Sequence, residues 1–240
     1  MSKGESKLKL DHAVYFSNQT PEEDAKAWKK RGMNGAPGGR HDQWGTQNAL
    51  YYARNAYIEA LSVEKPEIAE GSGQPLARLL IHDLKAYGSG WGTVCLRPGN
   101  LYEFEKQLNE KGYRTTGVQD ASRRTASGDL LEWKLLFIDE EIGDGLPNPF
   151  FIDWGMDESA RMEQLLSSGT MPQENLASRI TEAVFKVRDP QATAGRWAEL
   201  LGLGQPAGNR LALGNAELVF VKGEKPERLA DVAIAHEDTR

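Results

Sequence analysis

Three times along the chain, an apolar strand is followed by a helix that begins at a polar residue and ends at a glycine. The strands are predicted at residues 8–17, 93–98 and 180–187, and the helices that follow begin at Thr20, Asn100 and Asp189. Thr20 is followed three residues later by a glutamate, which is typical of a capping box. Because each unit must bury its apolar face against a neighbour, the repeat predicts paired sheets with a cleft between them.

Two ionisable side chains lie on strand faces that are otherwise apolar. Alternation along the first strand predicts a single face made of Leu8, Leu10, His12, Val14 and Phe16. Glu59 shares the face of a later strand with apolar and aromatic neighbours. Burying a carboxylate is unfavourable unless it is paired or bound to a metal. The alternatives are a hydrogen-bonded core histidine at position 12 and a Glu59 that points to solvent.

Asp153 is a third candidate, because its short strand matches in sequence pattern the strand that carries Glu59. An imidazole and two carboxylates that converge in one cleft predict a divalent-metal site. The lone cysteine, Cys95, lies between Val94 and Leu96 and is predicted to be a buried, inert thiol.

A polar and aromatic strip after the first helix is predicted to form one wall of a small-molecule pocket. The strip consists of Arg40, His41, Trp44, Thr46 and Asn48. His41 is a candidate proton carrier, because imidazole titrates near neutral pH. Arg123 or Arg124, before a turn predicted at residues 126–129, is a candidate for holding a substrate carboxylate, and Trp133 is a candidate pocket wall. The alternatives are a surface loop for the strip, solvated arginines and a core tryptophan.

Composition and charge narrow the class of protein. Of the 240 residues, 39% are hydrophobic and 27% are charged, which is typical of a soluble globular protein. The net charge of -6, without a basic stripe, argues against a nucleic-acid partner. No apolar stretch approaches the roughly 18 residues of a membrane span. The first residues lack the apolar run of a secretory signal, and with a single cysteine we expect a cytoplasmic protein.

Several segments together resemble the glyoxalase-like branch of the vicinal oxygen chelate superfamily. They are Leu10–Tyr15, Gly38–Ala49, Tyr57–Glu59, 122–133 and Phe150–Trp154. The resemblance implies an α+β fold of βαβββ modules, with curved mixed sheets paired around a cleft. We expect a first module in residues 1–64, a connecting helix and linker in 65–90, a second module in 91–155, and a third, partial βαββ module with a tail in 156–240.

In this superfamily the metal ligands come from the first and last strands of each module. Carried over to this chain, the resemblance implies His12, Glu59 and Asp153 as ligands, and the remaining position falls near Gly92, which has no ligand side chain. The ion expected is zinc, iron, manganese or nickel.

These observations lead to two hypotheses about function. The first is a divalent-metal-dependent enzyme, of the lyase, isomerase or dioxygenase type, that acts on a small oxygenated organic molecule. In it His41 and Glu59 are catalytic, and the substrate contacts are Trp44, Thr46, Asn48, Arg123 and Trp133. The second is a metal-free protein that binds an aromatic or drug-like molecule in the same cleft.

Overall fold

The computed structural model describes residues 8–124 and 130–237, with Arg124 described by its backbone alone. The turn predicted at residues 126–129 and the side chain of Arg124 therefore lie outside the described residues. Eight strands form the first sheet: β1 (Lys9–Phe16), β2 (Ala36–His41), β3 (Thr46–Tyr52), β4 (Tyr57–Val63), β5 (Gly90–Arg97), β6 (Gln119–Arg124), β7 (Leu130–Leu136) and β8 (Phe150–Asp153).

The first sheet consists of two halves that meet at its centre, in the order β2-β3-β4-β1-β5-β8-β7-β6. The central strands β1 and β5 are antiparallel, and each pairs in parallel with the last strand of its own half, β4 or β8. The edge strands β2 and β6 approach each other, where Arg123 donates a hydrogen bond to the carbonyl of Gly38. The sheet therefore curves almost into a barrel, which confirms the predicted α+β fold with curved mixed sheets.

Five of the six α-helices in the described part of the chain begin at a residue whose side chain caps the first turn. The six are α1 (Pro21–Lys29), α2 (Pro66–Gly71), α3 (Pro75–Tyr87), α4 (Leu101–Glu110), α5 (Glu158–Ser167) and α6 (Pro190–Leu201), with a 3-10 helix at Gln173–Ala177. The side chains of Thr20, Asn100 and Asp189 each accept a backbone N–H of the first turn, which confirms the three predicted helix starts. Such a cap contributes about 1 kcal/mol. Among the described residues, no helix is long and apolar enough to cross a membrane.

A second, four-stranded sheet packs against the outer face of the first. Its strands are β9 (Ser178–Val187), β10 (Arg210–Ala212), β11 (Glu217–Lys222) and β12 (Arg228–His236), in the order β10-β11-β9-β12. Its apolar residues belong to the same buried cluster as Leu10 and Ala13 of β1. The amide side chain of Asn215 joins the two sheets, since it both donates to the carbonyl and accepts the N–H of Leu10.

The predicted single face of the first strand is wrong, because β1 contains a bulge. Leu10 lies opposite Leu96 and His12 lies opposite Cys95, so Asp11 is one residue more than the neighbouring strand can pair. Leu8 and Leu10 therefore pack under the second sheet, whereas Val14 and Phe16 pack in the core on the other side, inside the curved sheet. A bulge of this kind redirects the side chains that follow it.

A buried arginine joins the second sheet to the helix between the two halves of the first sheet. Arg228, at the start of β12, donates to both carboxylate oxygens of Asp83 on α3, at 2.7 and 2.8 Å. It also donates to the carbonyls of Gly143 and Gly145, at 2.8 and 2.7 Å. The guanidinium is only 6% exposed, so these partners replace the water that it loses.

We expect Arg228→Met to lower the free energy of unfolding by about 3–5 kcal/mol, because it leaves the Asp83 carboxylate buried without its partner. Denaturant titration followed by circular dichroism measures the change. The matched control is the double variant Arg228→Met with Asp83→Leu, which removes both charges and is expected to recover much of the loss. A loss below about 1 kcal/mol in the single variant would show that the pair does not hold the sheets together.

Candidate functional site

A cavity of about 590 Å³ lies inside the curved first sheet. It brings together eight of the nine predicted site residues, from six different strands and the loop between β2 and β3. These residues are His12, His41, Trp44, Thr46, Asn48, Glu59, Arg123 and Trp133. The alternatives of a surface loop and of a solvent-facing Glu59 do not apply, because His41 and Glu59 are each 6% exposed. The remaining wall is apolar and aromatic, as in small-molecule pockets.

Asp153 does not line this cavity. Ile152 and Trp154 face it, and Asp153 lies between them on β8, where side chains alternate between the two faces. The carboxylate of Asp153 accepts instead from the backbone N–H of Gly155, at 2.8 Å. The structure therefore places the apolar Ile152 where sequence comparison of the two halves placed a carboxylate.

The bulge in β1 places two neighbouring polar side chains at one end of the cavity. Oδ1 of Asp11 lies 2.8 Å from Nδ1 of His12, and Oδ2 of Asp11 accepts from the indole N–H of Trp154 at 3.0 Å. The His12 ring stacks on Tyr57, with 4.4 Å between ring centroids, and meets the edge of Phe150 at 5.4 Å. These contacts fix the ring, so that its Nε2 faces Glu59.

The Glu59 carboxylate is buried beside His12 and is held by an amide. Oε2 of Glu59 lies 3.5 Å from Nε2 of His12, and Oε1 accepts from the side-chain N–H of Asn48 at 2.5 Å. Burial alone would raise the pKa of Glu59, but His12 and the hydrogen bond from Asn48 lower it below its usual value. Glu59 is therefore an ionised carboxylate inside an aromatic cavity.

His12 is an imidazolium between two carboxylates. Burial alone would lower its pKa, but the carboxylates of Asp11 and Glu59 outweigh burial and hold the pKa well above 6.5. Burial opposes ionisation of Asp11 too, yet His12 and the more distant arginines lower the pKa of Asp11 to about 2. The two carboxylates and the ring therefore compensate one another's charge in a space with little water.

Cys95 is a member of this cluster that the sequence did not point to. It lies directly opposite His12 on β5, and Asp11, His12 and Cys95 offer ligand atoms within 4.8 Å of one another. Burial raises the pKa of Cys95 to about 12, so that the group is a neutral thiol. Gly92, which the resemblance put at the remaining ligand position, packs against Phe16, and a Cβ there would lie 2.3 Å from the Phe16 ring. Only the antiparallel register of β1 and β5 identifies Cys95 as the neighbour of His12.

The side chains at this end of the cavity fit a divalent ion, which would take the place of the proton on Nε2 of His12. Two ligands with metal bonds of about 2.0–2.2 Å in a tetrahedral arrangement are roughly 3.3 Å apart, close to the 3.5 Å between His12 Nε2 and Glu59 Oε2. Asp11 on the other ring nitrogen is the outer carboxylate that orients many metal-binding histidines. Because Ile152 offers no ligand, water or substrate would fill the remaining coordination positions.

His41 lies apart from this cluster, among the aromatic side chains of the wall. Its Nδ1 is 3.0 Å from the hydroxyl of Thr46, and its ring lies 5.4 and 6.1 Å from the rings of Trp44 and Trp133. Burial is the main reason that the pKa of His41 is lowered to about 4, and the charge of Arg123 adds to it against the opposing effect of Glu59. His41 is therefore a neutral imidazole at neutral pH.

Comparison with solved structures finds several proteins to which this chain is similar. A structure described as a hypothetical protein from Staphylococcus aureus has 21% sequence identity and a TM-score of 0.77, over 95% of this chain and 90% of its own. Methylmalonyl-CoA epimerase from Mycobacterium tuberculosis has 20% identity and a TM-score of 0.41, over 56% of this chain and 81% of its own. The methylmalonyl-CoA epimerase of Streptomyces coelicolor, in complex with 2-nitronate-propionyl-CoA, has 13% identity and a TM-score of 0.39, over 55% and 86%.

Sequence comparison identifies the family. No curated protein matches the chain. A family model described as a glyoxalase-like domain matches residues 10–201, which is most of the chain. The chain therefore belongs to the glyoxalase-like domain family of the vicinal oxygen chelate superfamily.

Proposed function

We propose that this protein is an enzyme that binds a small oxygenated organic molecule in the cavity and uses a divalent ion held by His12 and Glu59. The observation that carries the proposal is the 3.5 Å between His12 Nε2 and Glu59 Oε2 at the end of an aromatic cavity. When bound, such an ion polarises a substrate oxygen and stabilises the negative charge that develops on it. Zinc, iron, manganese and nickel all suit one imidazole with a carboxylate.

Residues of the chain itself provide substrate binding, orientation and proton transfer. Trp44 and Trp133 supply apolar walls that exclude water, and Asn48 holds Glu59 in place by its hydrogen bond. Arg123 supplies positive charge at the wall for an anionic substrate group. We assign to His41 the transfer of a proton to or from the substrate. Thr46 engages Nδ1 of His41, and among the described residues Nε2 has no hydrogen-bond partner, so it can bond to the substrate.

The second candidate function is metal-free binding of an aromatic molecule. It is favoured by the arrangement of charges in the site, since the carboxylates of Asp11 and Glu59 each already lie beside the His12 ring without any added ion. With Ile152 at this position, the described residues of the second half of the sheet contribute no carboxylate to the cavity. In this case Trp44, Trp133 and Trp154 would enclose the ligand, and His12 would serve the packing of the cavity.

Metal binding separates the two candidates. We expect the chain to bind one equivalent of Zn²⁺ or Mn²⁺ in calorimetric titration, and we expect Glu59→Gln to weaken that affinity about 100-fold or more, because the amide removes an anionic ligand. Asp153→Asn is the matched control, since it removes the same charge outside the cavity, and its affinity should stay within about twofold of wild type. Absence of binding, or equal binding by both variants, would reject the metal in favour of the second candidate.

Ligand binding to the aromatic wall is expected for either function. Whether that binding depends on metal distinguishes the metal enzyme from the metal-free binding protein. The aromatic carboxylate 2-naphthoate should quench tryptophan fluorescence in a saturable way. Trp133→Leu should weaken the affinity for 2-naphthoate about tenfold, because a ring contact with the ligand is lost. Trp28→Leu, at a tryptophan that packs on Tyr51 outside the cavity, serves as the control. Quenching that survives a strong chelator supports the binder, whereas loss with chelator supports the metal enzyme. Equal quenching in both variants would contradict binding at this wall.

The neutral state of His41 should appear as a pH dependence of stability. The pKa of about 4 in the folded protein is below the ordinary 6.5, so the unfolded chain binds more protons between these values. The free energy of unfolding of the wild type should therefore fall by up to about 3 kcal/mol relative to that of His41→Gln as the pH falls from 7 to 4. Below pH 4 the difference between the two proteins should not change further. Denaturant titrations of both proteins across this range give the difference. A difference that does not change with pH would show that His41 is not buried in its neutral form.

A further inference from the structure

A second polar cavity lies behind the His12 cluster, on the far side of the two tyrosines that separate it from the main cavity. Its empty volume is about 360 Å³, and Tyr52 and Tyr57 line both cavities. Its other walls come from the turn between β3 and β4 and from α5. Three arginines and two carboxylates face it, namely Arg54, Arg97, Arg161, Asp11 and Glu158.

Arg161 is the unusual member of this group, because it is buried without an ionic partner. It is 6% exposed, and among the described residues no carboxylate lies within 4 Å of its guanidinium. Its Nη2 is fully buried and has no hydrogen-bond partner in the described part of the chain. Burying a charged donor without a partner is unfavourable, and such a group calls for a bound ion or water.

The stacking of Arg161 on an aromatic ring leaves its hydrogen-bond donors available. The guanidinium carbon lies 3.3 Å from the centroid of the Trp154 ring. Stacking occupies the flat face of the guanidinium, whereas its N–H groups point outward in the plane of the group. Trp154 therefore holds Arg161 in position and does not satisfy its donors.

The other charges at this cavity leave an excess of positive charge. Arg54 is paired with Glu237, which is not part of the lining, and Asp11 is held by His12 and Trp154. Arg97 lies 3.8 Å from Asp11 and 3.6 Å from Glu158, both longer than a hydrogen bond. Glu158 is itself paired with Lys9. Two guanidinium groups, of Arg97 and Arg161, thus face one small cavity with unused donors.

We propose that this cavity is a binding site for a small oxyanion, a phosphate or a carboxylate, held by Arg161 and Arg97. Two planar guanidinium groups match the geometry of an oxyanion, which accepts forked hydrogen bonds from each. The site is separate from the metal and substrate cavity described above, and it does not depend on the function proposed for that cavity. The bound anion brings negative charge to the buried guanidinium of Arg161, which has no carboxylate within 4 Å among the described residues.

Titration with inorganic phosphate tests the proposal. Calorimetry of the full chain, with sodium chloride adjusted to keep the ionic strength constant, should show saturable binding of one phosphate per chain. Arg161→Gln should weaken this binding at least tenfold, because it removes the buried charge and the forked donors. Arg114→Gln removes one positive charge from an exposed arginine paired with Asp139 and should bind phosphate as wild type does.

Two additional variants and a second anion complete the test. If Arg161→Gln does not fold, as judged by circular dichroism, Arg161→Lys and Arg97→Gln take its place, and each should weaken phosphate binding at least tenfold. Acetate in place of phosphate distinguishes the two sources of the oxyanion, and saturable binding of either, lost in the same variants, supports the site. No saturable binding of either anion, or equal binding by wild type and the Arg161 variants, would show that water alone occupies the cavity and would overturn the proposal.

Discussion

One unpaired residue in a central strand determines the geometry of the whole candidate site. Because Asp11 has no partner on β5, the alternation of β1 shifts by one position between Leu10 and His12. Leu8 and Leu10, before the bulge, pack in the core beneath the second sheet, whereas the alternate positions after it place His12 at the cavity and Val14 and Phe16 in the core inside the curved sheet. A strand of regular alternation would place His12 on the same face as Leu10, where it could not meet Glu59.

The site also shows how buried charge is tolerated in an aromatic environment. Asp11, His12 and Glu59 form a line in which each charge has an opposite charge beside it, and Asn48 and Trp154 provide further hydrogen bonds. In a medium of low dielectric constant such contacts are strong, and a missing partner is correspondingly unfavourable. The same principle explains why the guanidinium of Arg161 behind this line is notable, since among the described residues no carboxylate lies within 4 Å of it and its Nη2 has no hydrogen-bond partner.

Much of the architecture could be predicted from local sequence signals. The caps at Thr20, Asn100 and Asp189 act within one helical turn, so that their effect can be recognised without knowing the fold. His12 and Glu59 stood out because ionisable groups on apolar strands need partners. The resemblance to a known family then placed them in one cleft.

The features that could not be predicted depend on strand register. A shift of one residue exchanges the two faces of a strand, so the short β8 offered Ile152 and Asp153 as equally good counterparts to Glu59. Cys95 and His12 are neighbours because β1 pairs with β5 in an antiparallel register. The chain between these two strands carries no local signal of that pairing. The bulge itself has no mark in the sequence, because Asp11 reads as an ordinary outward-facing residue.

The amide of Asn215 has a consequence for the order in which the protein assembles. Its side chain takes the place of a neighbouring strand at Leu10, next to the bulge, although the two residues are 205 positions apart in sequence. Contacts between such distant residues form late, because closing a long loop is entropically unfavourable. The backbone just before His12 therefore gains its last partners only when the final strands dock. A chain emerging from the ribosome would carry every side chain of the cavity before that cavity becomes rigid.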